Sequence, residues 1–273
     1  MGAGGFDFIE HLGAVMPMRV IGMLLGIPEQ DQVALRQRTD SGLELADGSA
    51  PAATDQYSSD LSAFAEYVDW REQHPSDDLM TELIQAEFED ETGTVRRLRR
   101  EEILGYIGLL AGAGNETTTR LIGWTGKVLA ENPDQRQLLV DDPGLIPNAI
   151  EELLRYEAPS PVQARSIERD VEHYGRQIPA GNVMLLINGS GNRDERRFPD
   201  PDTFDVRRRI GHHLSFGYGL HFCMGASLAR MEGRIALEEV LKRFPTWDID
   251  YANAQQARTS TVRGWNKLPV VTG

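Results

Sequence analysis

The chain has a single cysteine, Cys223, in 273 residues. One thiol excludes an intramolecular disulfide framework, a Cys-rich zinc site and a four-cysteine iron–sulfur site. Two readings of Cys223 remain: an inert buried thiol, or a lone thiolate with a chemical task. Positive charge is also scarce. The 28 Lys and Arg are outnumbered by 42 Asp and Glu, giving a net charge of −14. That balance argues against bulk nucleic-acid binding and against an anionic membrane surface as the main partner. No stretch approaches the roughly 20 apolar residues of a membrane span. The best early run, Val20 to Ile27, is broken by Gly22 and Gly26 and stopped by Pro28. The first residues lack the basic start and apolar stretch of a secretory signal, and Phe6 breaks the myristoylation pattern. A cytoplasmic protein is the expectation.

What is present is ordinary for a folded chain: 40% hydrophobic and 26% charged residues, with no internal repeat. Phe6 to Gly26 reads as apolar helical pieces interrupted by Pro17. Asp47 to Asp55 reads as a loop, Tyr57 to Gln73 as a helix, and Ser76 to Asp78 as the cap of a helix running to Glu87. Glu101 to Glu131 has no proline and carries apolar residues at helical spacing, which predicts one long helix. Ile146 to Tyr156 predicts another, Val183 to Ile187 a buried strand, and Asn192 to Asp205 an ordered loop. A last long helix is expected from just after Cys223 to Arg243. Two short strands are expected near Ser260 to Val262 and Leu268 to Val271. The fold class expected is mainly α with a small β-sheet.

Three segments carry chemistry. Phe216 to Gly225 (FGYGLHFCMG) places Gly217, Gly219 and Gly225 around Cys223 at the mouth of a helix. Glycines allow tight turns or close approach, and a helix N-terminus stabilises a thiolate. Leu110 to Thr119 (LAGAGNETTT) puts glycines and threonines in mid-helix, where each Gly costs about 1 kcal/mol relative to Ala. Small residues there suit a tight helix contact, but Glu116 and Thr117 add an acid and an alcohol that packing does not require. Glu151, Glu152 and Arg155 form an E-x-x-R pattern that alone fits any solvated helix face, with Glu151 equally able to pair with Arg155.

The spacing F-x-x-G-x-x-x-C-x-G over Phe216 to Gly225 resembles the haem-binding loop of the cytochrome P450 family, the haem-thiolate monooxygenases. Ala113 to Thr117 fits the family's oxygen-groove pattern, and E-x-x-R falls between the two in family order. The resemblance implies haem b (iron protoporphyrin IX) with Cys223 as axial iron ligand, in the haem-ligand loop 216–225. It also implies Phe216 beside the sulfur, Gly217 and Gly225 as cofactor-binding positions of the loop, and His221 and Arg165 on the propionates. Ala113 and Gly114 leave room in the groove of the long helix (about 101–131), and Glu116 and Thr117 deliver protons. Glu152 and Arg155 form a structural ion pair, joined by Arg193 or Arg197 from the loop that follows.

The resemblance covers 1–273 as one cytochrome P450 domain. It corresponds to the C-terminal two-thirds of a soluble bacterial member, N-terminally truncated. The implied function is a monooxygenase that inserts one atom of O₂ into a small apolar organic substrate. Electrons come from NAD(P)H through ferredoxin reductase and ferredoxin, which docks on a patch of Arg207, Arg208, Arg209, Arg230 and Arg234. Ile107, Leu110, Ala113, Thr117, Val162, Thr261 and Val262 are candidate substrate-lining residues. Two rivals stand beside it. One is a vestigial or truncated haem-binding fragment without turnover. The other is a hydrolase using Cys223 with His212, His213 or His221, which leaves the glycine spacing unexplained.

Overall fold

The computed structural model describes residues 4–41, 62–259 and 261–273. They fall into two compact units, one built on Ile9–Thr119 and the other on Arg120–Ala257 and Thr261–Gly273 together with the residues up to Phe8. The fold is mainly α with small antiparallel sheets, as the periodicity implies. The loop expected at Asp47 to Asp55 lies outside the described residues.

Strand Phe6–Asp7 (β1) belongs to the second unit. The first unit opens with a turn of π-helix, Ile9–Gly13, followed by α1 (Met16–Leu24) and α2 (Glu29–Ser41). Pro17 does not interrupt α1, as the sequence suggested. It sits in the first turn, where the missing N–H has no helical partner to lose. Met18 and Ile21 form the buried stripe of α1, continued by Leu25 at its C-cap. The chain leaves it through Gly26 at φ +68°, a left-handed conformation that favours glycine.

Helices α3 (Ser62–Gln73) and α4 (Leu79–Gln85) follow. Asp78 caps α4 by accepting from Thr81 N at 2.9 Å. Asp78 also pairs with Arg71 of α3 at 2.8 Å, both side chains nearly buried. Arg71 Nη2 donates onward to Gly26 O at 3.1 Å. One guanidinium therefore ties the end of α1 to α3 and to the start of α4. Next comes a hairpin that the sequence did not announce, β2 (Glu87–Glu89) with β3 (Val95–Arg97). Arg96 anchors it to Glu102 with two hydrogen bonds of 2.8 and 2.9 Å. Glu102 lies in α5 (Arg100–Glu131), the long helix.

In the second unit, α5 from Arg120 onward buries Leu121, Ile122, Trp124, Val128 and Leu129. An added Cβ at Gly126 would come within 2.6 Å of Phe8 Cδ2, and Gly126 O accepts from Trp247 Nε1 at 2.8 Å. Helices α6 (Pro133–Asp141) and α7 (Ile146–Tyr156) precede two antiparallel ladders. The first ladder pairs β4 (Gln163–Ser166) with β7 (Val183–Leu186), and inside it β5 (Val171–His173) pairs with β6 (Arg176–Ile178). The strand expected at 183–187 forms over Val183–Leu186, but it is not buried. Val183, Leu185, Leu186 and Ile187 are exposed, because its ladder has only two strands among the described residues.

A single helical turn, α8 (Asn188–Gly191), leads into the irregular stretch 192–205, which contains no helix or strand. Helix α9 (Ala226–Arg243) starts three residues after Cys223. Strands β8 (Trp247–Ile249) and β11 (Pro269–Thr272) join β1 in the order β1-β11-β8, and β9 (Gln255–Gln256) pairs with β10 (Trp265–Lys267). The tail strand expected at Ser260 to Val262 appears instead at Trp265–Lys267, with residue 260 outside the described set. Among the described residues no single helix is long and apolar enough to cross a membrane.

Replacing Arg71 with Leu leaves Asp78 buried beside no cation. A loss of about 3–5 kcal/mol is expected in a chemical denaturation curve.

Candidate functional site

In the second unit, the cysteine loop is built by glycine conformations. Gly217 (φ +72°) and Gly219 (φ +65°) are both left-handed, a region closed to most side chains. They turn the backbone so that Cys223 N donates to Phe216 O at 2.8 Å, closing the loop at its neck. His221 lies exposed in a short 3-10 turn, Gly219–His221. Residues 223–225 are a turn rather than helix: Ala226 N donates to Cys223 O at 3.3 Å, and Gly225 is the N-cap of α9. Gly225 has no side chain to cap the first N–H groups of the helix. Cys223 is exposed, which removes the reading of an inert buried thiol. Leu220, Phe222 and Met224 expose apolar surface around it.

In the first unit, α5 carries Glu116 buried and Thr117 half-buried. The Thr117 hydroxyl donates to Ala113 O at 2.8 Å, one turn back on the same helix. Ala113 is exposed, and the same face exposes Tyr106 and Leu109, an apolar stripe that ends at Thr117. Gly114 points elsewhere. A Cβ there would come within 2.7 Å of Ile21 Cδ1, so its small size serves packing against α1. Ile107, expected to line a substrate site, is fully buried in the core of its unit.

The E-x-x-R pair is completely buried. Arg155 Nε and Nη2 meet Glu152 at 2.7 and 2.8 Å, and both side chains have 0% exposure. Arg155 Nη1 also donates to Asn192 O (3.0 Å) and Pro201 O (2.8 Å), while Asp205 N donates to Glu152 Oε1 (3.1 Å). The third member is Arg208, whose Nε reaches Glu152 Oε1 at 3.0 Å, in place of the expected Arg193 or Arg197. Arg193 instead bonds Tyr156 O and Asp202. Arg208 wins because the loop doubles back through Asp200, at φ +47°, and presents the carbonyls of Pro199, Asp200 and Thr203 to it.

This thins the expected basic patch. Arg208 belongs to the buried cluster and Arg230 pairs with Glu151 at 2.6 Å, leaving Arg207, Arg209 and Arg234 as the exposed members, Arg234 with Glu238 at 3.7 Å. Arg165, on β4, donates Nη1 to its neighbour's carbonyl, Ala164 O, at 2.7 Å.

Two further groups take places that the sequence did not give them. His213, expected only as a partner of Cys223 in a hydrolase, is buried, with its Nε2 3.2 Å from Glu151 Oε2 and its Nδ1 accepting from Ser215 N at 3.2 Å. Glu232, on α9, is buried, and its Oε2 has no hydrogen-bond partner. Burial alone pushes its carboxyl up to about 7.

The family described as Cytochrome P450 matches residues 144–260. Cytochrome P450 107B1 of Saccharopolyspora erythraea is 37% identical over 277 residues, covering 100% of this chain and 66% of the relative. The 6-deoxyerythronolide B hydroxylase of the same organism is 36% identical over 271 residues, covering 98% and 66%. Among solved structures, a mutant of P450 EryK in complex with erythromycin B superposes with a TM-score of 0.89 at 33% identity, covering 100% of this chain and 71% of that one. Ligand-free cytochrome P450 TbtJ1 superposes with a TM-score of 0.85 at 37% identity, covering 98% and 71%. The chain belongs to the cytochrome P450 family, whose cofactor is haem b. It spans 66% of the length of these two curated relatives.

Arg155→Ala leaves Glu152 with Arg208 alone and takes the donor from the Asn192 and Pro201 carbonyls, and it is expected to cost about 3–5 kcal/mol in denaturant unfolding. Glu232 gives a pH signature. Its folded value lies above its unfolded one, so the folded chain holds the proton more tightly, and stability falls as pH rises from about 4.5 to about 7. Glu232→Gln abolishes that slope. It should therefore stabilise the chain relative to the parent at pH 8 by about 1–3 kcal/mol, read as a higher melting temperature, and leave it little changed at pH 4.

Proposed function

We propose that the chain binds iron protoporphyrin IX through the Cys223 sulfur and serves as a monooxygenase on an apolar organic substrate, in the cytoplasm. The observation that carries this reading is the exposed Cys223 thiol at a helix end whose N-cap supplies no side-chain acceptor. An anionic sulfur complements that positive end. The residues around it fit such a group. Leu220, Phe222 and Met224 offer exposed apolar surface to a flat macrocycle, and Gly225 keeps the sulfur's flank free of a side chain. In this reading Phe216 and Gly217 shape the loop behind the sulfur, and His221 and Arg165 take the carboxylates of the group. Glu152 and Arg155 keep the loop folded. Of the two small groove residues, Ala113 has an open side, whereas Gly114 is filled by Ile21.

The chemistry that the group supplies when bound is reductive activation of O₂, with one oxygen atom ending in the product alcohol and the other in water. The chain's own residues handle substrate and protons. The exposed Tyr106, Leu109 and Ala113 on α5 present an apolar surface that orients an apolar substrate and sheds water. The Thr117 hydroxyl donates to Ala113 O and has lone pairs free to accept, so it can hold and pass a proton at Oγ1. The Glu116 carboxyl next to it in sequence is the acid assigned to replenish that proton.

The names of the relatives favour a polyketide-sized substrate, as in the 6-deoxyerythronolide B hydroxylase and the complex with erythromycin B. The electrons are assigned to NAD(P)H through ferredoxin reductase and ferredoxin, with Arg207, Arg209 and Arg234 as the exposed cations for docking.

The test is the absorption spectrum of the haem-loaded, reduced, CO-bound chain. A strongly red-shifted Soret band is expected, and Cys223→Ser should abolish it. Failure to take up haem, or survival of the band in Cys223→Ser, overturns the reading. A normal band with no oxidation of any substrate in the presence of electron donors would favour a haem-binding fragment without turnover.

A further inference from the structure

Glu151 lies one residue before the buried Glu152 but takes no part in that ion-pair cluster. Its carboxylate faces two other elements. Oε1 accepts from Arg230 Nε of α9 at 2.6 Å, and Oε2 accepts from Arg230 Nη2 at 3.0 Å. Oε2 also lies 3.2 Å from His213 Nε2. Because His213 Nδ1 accepts from Ser215 N, the ring proton resides on Nε2, and His213 is the donor to Glu151. Both partners then bear on one ring. The Arg230 guanidinium lies 4.5 Å from the Phe216 centroid, and the His213 ring is 5.7 Å from it. Phe216 is the residue whose carbonyl receives Cys223 N. One carboxylate thus gathers the two groups that clamp the neck of the cysteine loop.

The charges agree with this geometry. Glu151 is drawn down to about 2, the hydrogen bonds from His213 and Arg230 outweighing the desolvation of a partly buried carboxyl. Arg230 is held above its ordinary range by its hydrogen bonds to Glu151 first, with Coulombic attraction to Glu151 and to Cys223 adding to it.

We propose that Glu151 is a positioning residue for the Cys223 loop. It fixes the Arg230 guanidinium against Phe216 and, by pairing with it, limits the positive charge that the Cys223 sulfur experiences. The proposal rests on the reading of Cys223 as the working sulfur, and it names the group that tunes it.

The experiment measures the alkylation rate of the haem-free chain by iodoacetamide at one fixed pH. Cys223 is the only cysteine, so the rate reports a single sulfur. Glu151→Gln leaves the Arg230 cation at the Phe216 neck of the cysteine loop without its anion, and alkylation about threefold faster than in the parent is expected. Arg230→Gln removes the cation, and a rate about threefold slower is expected. The double variant should return close to the parent, and Glu151→Asp should match it. In the haem-loaded chain the reduction potential should move up in Glu151→Gln and down in Arg230→Gln.

A merely structural contact would push both single variants the same way. That result, or a parental rate in Glu151→Gln, overturns the proposal. If Glu151→Gln does not fold by circular dichroism, Arg230→Lys decides: a parental rate beside a slow Arg230→Gln upholds the proposal, and a slow Arg230→Lys overturns it. Failure of haem to bind would count against the proposed function, while the alkylation order still tests Glu151.

Discussion

The second unit is organised around the buried bond between Glu152 and Arg155. Two opposite charges with no solvent exposure are stable only if every remaining donor and acceptor is also satisfied. The irregular segment 192–205 meets that demand with its backbone, sending the Asn192, Pro201 and Thr203 carbonyls to Arg155 and the Asp205 amide to Glu152. A stretch with no helix or strand is thereby fixed as firmly as a secondary-structure element. Asn192 continues the order outward. Its side chain donates to Ser215 Oγ and accepts from Leu214 N, and Ser215 Oγ donates to Leu154 O. The glycine loop begins at the next residue, so the placement of Cys223 descends from the ion pair through a short chain of hydrogen bonds.

Two adjacent acids on α7 divide the labour. Glu152 faces inward to Arg155 and Arg208, and Glu151 faces the cysteine loop and α9. Residues at i and i+1 diverge by about 100° on a helix, so neighbours in sequence cannot share a partner face. In the linear pattern the two acids are interchangeable. In the helix they are assigned to different networks, one that holds the loop's foundation and one that grips its neck.

Much of this was legible in the sequence where local and global preferences agree. The long helix and α7 emerged within a residue of their expected bounds, because periodic apolar positions end at proline or at a break in pattern. The glycine-rich cysteine loop was legible because left-handed turns demand glycine whatever surrounds them. What escaped depends on contacts distant in sequence. The β2–β3 hairpin has three-residue strands rich in charge, held by Arg96 on Glu102 rather than by an apolar pattern. Arg208 displaced Arg193 and Arg197 through a backbone reversal at Asp200 that no spacing rule encodes. Gly114 read as room for a ligand, and only the packing of α1 reveals Ile21 in that space.

The β4–β7 ladder has a consequence for how copies of the chain behave together. The run from Val183 to Ile187 contains no charged residue, no proline and no glycine, and most of it faces solvent. Such an edge invites another extended strand, and nothing in the run itself turns one away. What opposes that association acts at longer range, in the mutual repulsion of molecules that each carry a net charge of −14. Repulsion of that kind fades with ionic strength, over a screening length of about 10 Å at 0.1 M. Added salt thus shifts the balance between this exposed strand and the acidic charge of the chain toward contact.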